Sequence, residues 1–141
     1  MKLEIHAPSG IEVVDLDELS ASYSGVVNIG QKCKHVWNTL PLEDETVDPF
    51  QCQLIGASGN YKLMHGQNRT ECPKGLISPK LVPCNGCTGR CVNVRPGRPK
   101  YFQRNPAVPT LLNGNEVGEW GMPISEGDTI SLGQVSICIK A

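Results

Sequence analysis

Pro123-Ile124-Ser125-Glu126-Gly127-Asp128-Thr129-Ile130-Ser131-Leu132-Gly133 carries the clearest signal of architecture in the chain. Short apolar runs, Met122–Ile124 and Thr129–Leu132, flank Glu126-Gly127-Asp128, and Val135–Ile139 follows after Gly133. Alternation over four or five residues, broken by Gly and Asp, is the pattern of half-buried strands joined by turns. Just upstream, Thr110–Leu112 runs into Asn113-Gly114, the strongest short hairpin signal a sequence carries.

The same grammar governs the first 64 residues. Lys2–His6 alternates around Leu3 and Ile5, Pro8-Ser9-Gly10 is a turn, and Ile11–Leu16 is a second run. Asp15–Ser22 reads as a short helical turn, and Val26–Ile29 as a strand ending at Gly30. Phe50–Ile55 and Tyr61–Met64 bracket a turn at Ala57–Asn60. Gly 15 and Pro 11 in 141 residues disfavour long helices. The expectation is one all-β domain over 1–141, a sandwich of short antiparallel strands. Its predicted core is Leu3, Ile5, Val26, Ile29, Leu54, Tyr61, Leu63, Ile130, Leu132, Ile137 and Ile139.

Residues 65–109 break the pattern and read as an irregular insert. They hold seven of the 11 prolines and four of the seven cysteines. From Cys72 to Thr110 there are seven basic residues and no acid, whereas the rest carries six basic and 14 acidic residues, a net of −8. A basic segment on an acidic body is either a solvated loop or a surface for a different partner. The chain opens on a strand and turn, not an apolar leader, and has no membrane-length run, which points to a cytoplasmic setting with reduced thiols.

Cys72, Cys84, Cys87 and Cys91 are spaced C-x11-C-x2-C-x3-C. The two-residue gap aims two thiolates at one tetrahedral ion, and Gly86 and Gly89 let the backbone curl around it. Structural zinc is the expectation, because an insert with little apolar content needs another source of ordering free energy. Disulfides, an iron–sulfur cluster and free thiols are the competing readings. His65 is a spare ligand or a solvated loop histidine. Cys33, Cys52 and Cys138 read as small core or strand residues.

At this point the order of signals resembles the forkhead-associated (FHA) domain. Thr110–Gly114 resembles the family's threonine followed by Asn-Gly, and Pro123–Gly133 its terminal Gly-Asp hairpin. Asn28-Ile29-Gly30 stands where the family has Ile-Gly-Arg, and Val47–Leu54 where it has Val-Ser-Arg-x-His. Gly59–Leu63 resembles the hairpin that follows. The resemblance implies an FHA-like β-sandwich, and a phosphothreonine site built from an arginine, a serine and an asparagine, with a histidine bracing the loops. Here those positions carry Gln31, Asp48, Asn113 and Gln51. A dianionic phosphate wants a guanidinium and neutral donors, and Asp48 repels it. The implied function is therefore non-catalytic docking of a protein partner, as in a signalling scaffold, independent of phosphothreonine. Its surface is expected at Gly30, Gln31, Asp48 and Asn113, together with Arg95 and Arg98 of the insert.

Enzymatic chemistry has little support. Cys33 and His35 lack an orienting third group, and Glu43-Asp44-Glu45 reads as a solvated run. No phosphate-cradling loop or nucleophile elbow occurs, so no small-molecule substrate is expected. The alternative is zinc-dependent nucleic-acid binding, in which the basic insert contacts phosphates while Tyr101 and Phe102 stack on bases.

Overall fold

A computed structural model describes residues 1–32, 38–70, 101–104, 106–118 and 120–141. Alternation in the first residues produces the strands β1 (Lys2–Ala7) and β2 (Gly10–Asp15), paired in register from Lys2↔Asp15 to Ala7↔Gly10. Asp15 then caps helix α1 (Leu16–Ser22), its carboxylate accepting from the Glu18 amide at 3.0 Å. The strands β3 (Val26–Gln31), β4 (Leu40–Leu42), β5 (Cys52–Ala57) and β6 (Asn60–His65) follow. Next come β7 (Gln67–Thr70) and β8 (Tyr101–Arg104). The chain ends with β9 (Thr110–Leu112), β10 (Asn115–Glu116), β11 (Met122–Ile124), β12 (Thr129–Leu132) and β13 (Val135–Lys140).

Two sheets form the sandwich. One has the order β10-β9-β12-β13-β1-β2, the other β11-β6-β5-β3-β4. Their facing sides bury Leu3, Ile5, Val27, Ile29, Leu54, Leu63, Ile130, Leu132, Ile137 and Ile139, with Leu16 of α1 closing one end. The all-β expectation is met, and the hairpin turns fall at Pro8-Ser9, Ser58-Gly59 and Asn113-Gly114 as the sequence reads. Among the described residues no helix is long and apolar enough to cross a membrane.

Three readings change, and one strand is added. Val26 is only half-buried, and Val27 takes the core position. The strand also runs through Gly30 to Gln31 instead of stopping at Gly30. Leu40–Leu42, with a proline at its centre, is the added strand. It lies at the sheet's edge and pairs in parallel with β3 from Ile29↔Leu40 to Gln31↔Leu42, where a missing N–H is tolerated. Finally, the ends of the segment expected to be irregular form an antiparallel ribbon, β7 on β8, from Gln67↔Arg104 to Thr70↔Tyr101.

The sandwich has two distinct ends. At one, Asp17 of α1 accepts from the Gly59 amide at 2.9 Å, from the Tyr61 hydroxyl and from the Met1 amino group. The amino group first, then Tyr61 and Gly59, hold its carboxyl down at about 2. At the other end, the β4–β5 loop meets the β12–β13 turn, where Gln134 donates its amide to Thr46 Oγ1 at 2.9 Å. This second end is the loop end.

Candidate functional site

The β4–β5 loop is shaped by its own short sequence. Asp48 precedes Pro49, and its Oδ1 accepts from the Phe50 amide at 2.8 Å, an Asx-turn. The Asp48 carbonyl accepts from the Gln31 amide at 3.1 Å, which ties the loop to the end of β3. Asn38 donates to the Pro49 carbonyl at 2.9 Å and fixes the loop from the other side.

Beneath that loop lies a buried polar knot. Gln51 is fully buried; its Oε1 accepts from the Asp48 amide at 3.1 Å. Its Nε2 donates to the Val108 carbonyl at 2.8 Å and to Thr110 Oγ1 at 3.0 Å. One side chain thus joins two segments 57 residues apart in sequence. Thr110, itself 1% exposed, also meets His65 Nδ1 at 2.8 Å. The Thr110 hydroxyl also reaches the Gln51 carbonyl, to which it donates at 3.4 Å. Gln67 continues the knot into the ribbon: its Nε2 lies 3.0 Å from the Ile29 carbonyl and 2.8 Å from Asn38 Oδ1. The side-chain donors of Gln51, Gln67, Asn38 and Thr110 all have acceptors, and a buried polar network satisfied in this way rigidifies instead of destabilising.

The residues expected at the partner surface divide. Gln31 and Asp48 stand together at the loop end, half-buried and joined backbone to backbone. Gly30 is beside them but buried. A Cβ there would meet the Pro49 carbonyl oxygen at 2.2 Å, so the glycine serves close packing rather than contact with a partner. Asn113 is at the opposite end of the sandwich. Its Nδ2 donates to Asp128 Oδ1 at 2.9 Å, its Oδ1 accepts from the Thr129 amide at 2.9 Å, and its φ is 52°. Strand β9 separates it from the Thr110–Gln51 knot, about 10 Å of extended chain. The asparagine is a turn residue here, with both side-chain atoms engaged. Arg95 and Arg98 lie outside the described residues, as do Cys72, Cys84, Cys87 and Cys91.

Sequence reasoning missed His65, Gln67 and Asn38. His65 is no solvated loop residue: it ends β6 and is tied to Thr110. The signal available was the cluster of amide side chains, Gln51, Gln53 and Gln67, within otherwise strand-like runs. Cys52 is fully buried, and burial pushes its thiol up well above the ordinary range, so it is an inert core residue. Cys138 is half-buried on β13.

No protein-family model matches the sequence, and a search of curated proteins finds no match. Solved structures do resemble it. The Slr1951 protein from Synechocystis sp. superposes with a TM-score of 0.60 at 17% identity, over 99% of this chain and 96% of that one. The FhaA FHA domain complexed with the intracellular domain of Rv3910 gives a TM-score of 0.54 at 16% identity, over 97% and 96%. The Rv0020c FHA structure gives 0.50 at 14%, over 99% and 89%. At these identities the likeness shows architecture, and the architecture of this chain is that of an FHA-like all-β sandwich.

Proposed function

We propose that this chain is a non-catalytic docking module that grips a protein partner with its loop end, without needing phosphothreonine. Asp48 carries this reading. It stands where the FHA resemblance implies a neutral serine, and its carboxylate already occupies the Phe50 amide at 2.8 Å. A fixed negative charge with its nearest donor spent repels a dianion instead of holding one. Gln51 supports the same view, since it braces the loops from inside, where the resemblance implies a histidine. The loop shape therefore persists without a bound phosphate. Among the similar structures, one is an FHA domain complexed with the intracellular domain of another protein, which agrees with a protein partner.

The contact surface of this reading is Gln31 and Asp48 together with the basic insert, including Arg95 and Arg98. Calorimetry with paired peptides, phosphorylated and not, is the test. No gain in affinity from the phosphate is expected. A low-micromolar dissociation constant that requires phosphothreonine overturns the reading. Retention on single-stranded nucleic acid that Arg95→Glu and Arg98→Glu abolish, with protein partners still bound, favours the nucleic-acid function instead.

In this reading Cys72, Cys84, Cys87 and Cys91 hold one structural zinc that orders the insert. Among the described residues no three His, Cys, Asp or Glu side chains gather as a metal site, so the four cysteines are the donor set proposed. Elemental analysis of native protein is expected to find about one zinc per chain. Cys87→Ala is expected to release it while the sandwich still unfolds cooperatively, because core and metal are separate sources of stability. Native protein without metal defeats the zinc assignment.

A further inference from the structure

Strand β2 ends the six-stranded sheet, and among the described residues nothing pairs with its outer side. A bare edge offers a row of N–H and C=O groups. Natural edges are blunted with proline, a bulge or charged side chains, lysine above all, and β2 carries only the carboxylates Glu12 and Asp15, which turn away like-charged strands and admit cationic ones. Gly10-Ile11-Glu12-Val13-Val14-Asp15 has neither lysine nor proline, and its pairing with β1 is unbroken over all six residues. Ile11 is 68% and Val13 57% exposed, both on the outer face beside His6 and Glu4. Glu12 pairs with core residue Ile5 and so points the other way, into a groove of about 410 Å³ between β2 and the edge strand β4. Leu42, Ala7 and Ile5 floor that groove. Its one lysine, Lys32, is held by Glu43 at 3.0 Å, and no salt bridge among the described residues involves Glu12.

We propose that this edge is a second docking site, which takes an extended segment of a protein partner by strand addition. The segment alternates apolar residues with cations: apolar side chains lie against Ile11 and Val13, and a Lys or Arg enters the groove at Glu12. Charge selects this occupant over a second copy of the chain. The antiparallel register that sets Ile11 of one copy on Val13 of the other places Glu12 directly against Glu12. A shift that puts Val13 on Val13 leaves Ile11 facing Asp15. Like charges directly opposite destabilise the first register, and the second sets Ile11 and Val14 against carboxylates, so self-pairing is the poorer match.

The test uses the whole chain and a fluorescein-labelled peptide of about nine residues alternating valine and lysine. Fluorescence anisotropy is expected to show binding that weakens about tenfold or more when glutamate replaces lysine, and that a central proline abolishes. Glu12→Lys is expected to exchange the preference, so that the glutamate peptide binds better. Ile11→Thr keeps strand propensity while removing apolar area, and should weaken both. Amide resonances of β2 should shift on titration ahead of those of β13, which is already paired on both sides. Two results overturn the proposal: affinity indifferent to Glu12→Lys, or a chain that sediments as a dimer dissolved by Val13→Lys. Asp48→Lys, which probes the loop end, is expected to leave this affinity within about twofold, so the two docking readings fail separately.

Discussion

Gly30→Ala is expected to destabilise the fold by about 3 kcal/mol, the upper end of what overpacking a well-filled site costs. The added methyl would come within 2.2 Å of the Pro49 carbonyl oxygen, 2.7 Å of its carbon and 2.8 Å of Asn38 Nδ2. Neither neighbour yields easily. Pro49 is rigid and its carbonyl is held by Asn38, while Asp48 beside it is bound to Gln31 and Phe50. The β4–β5 loop must lift as a unit, which moves the Gln31–Asp48 surface with it. Urea denaturation gives the readout as a lowered midpoint at unchanged slope. Gly118→Ala is the control: a Cβ there meets nothing within 4 Å, and a change within about 0.5 kcal/mol is expected. Equal effects at the two positions would show that the close approach at Gly30 is not real.

Gln51→Ala is expected to cost a similar amount, about 3 kcal/mol, for a different reason. Truncation leaves the Val108 carbonyl, the Asp48 amide and one acceptor site of Thr110 facing a dry void. Each unsatisfied buried group costs on the order of 1–3 kcal/mol unless water enters. Gln51→Glu separates hydrogen bonding from packing. It keeps the acceptor for Asp48 but turns the donor toward Val108 into a second acceptor and buries a charge. At neutral pH it should be at least as damaging as Gln51→Ala. Its stability should rise as the pH falls, because the protonated acid regains a donor and the buried charge disappears. A Gln51→Glu variant as stable as the parent at neutral pH would mean that the knot does not brace the loops.

These two positions also show how the sequence divides. Strands and turns were legible wherever the information is local. A two-residue period with glycine at the turn fixes β1–β2, β5–β6 and β12–β13 by steric rules acting within about ten residues. The same locality made the FHA resemblance visible at Thr110–Gly114 and Pro123–Gly133. It also misled, because Asn113-Gly114 is a hairpin signal before it is anything else. Its position φ of 52° and its bonds to Asp128 and Thr129 are what such a turn needs.

What stayed hidden depends on contacts across the fold. The insert's spacing of cysteines could suggest a metal, but nothing local told that β7 and β8 would close its base as a ribbon, since their partners lie more than 30 residues apart. Leu40–Leu42, three residues around a proline, carries too short a pattern to mark a strand, and it is one because β3 offers it a parallel partner. Whether a buried glutamine is a liability or a brace depends on what faces it, and Gln51 finds Thr110 59 residues away. Composition and period therefore determined by themselves that this chain is an all-β sandwich of hairpins. Which polar residues meet at the loop end, and that β2 has no strand on its outer side among the described residues, came from the folded arrangement, because a hydrogen bond or a strand partner is a property of two segments and cannot be written in either one alone.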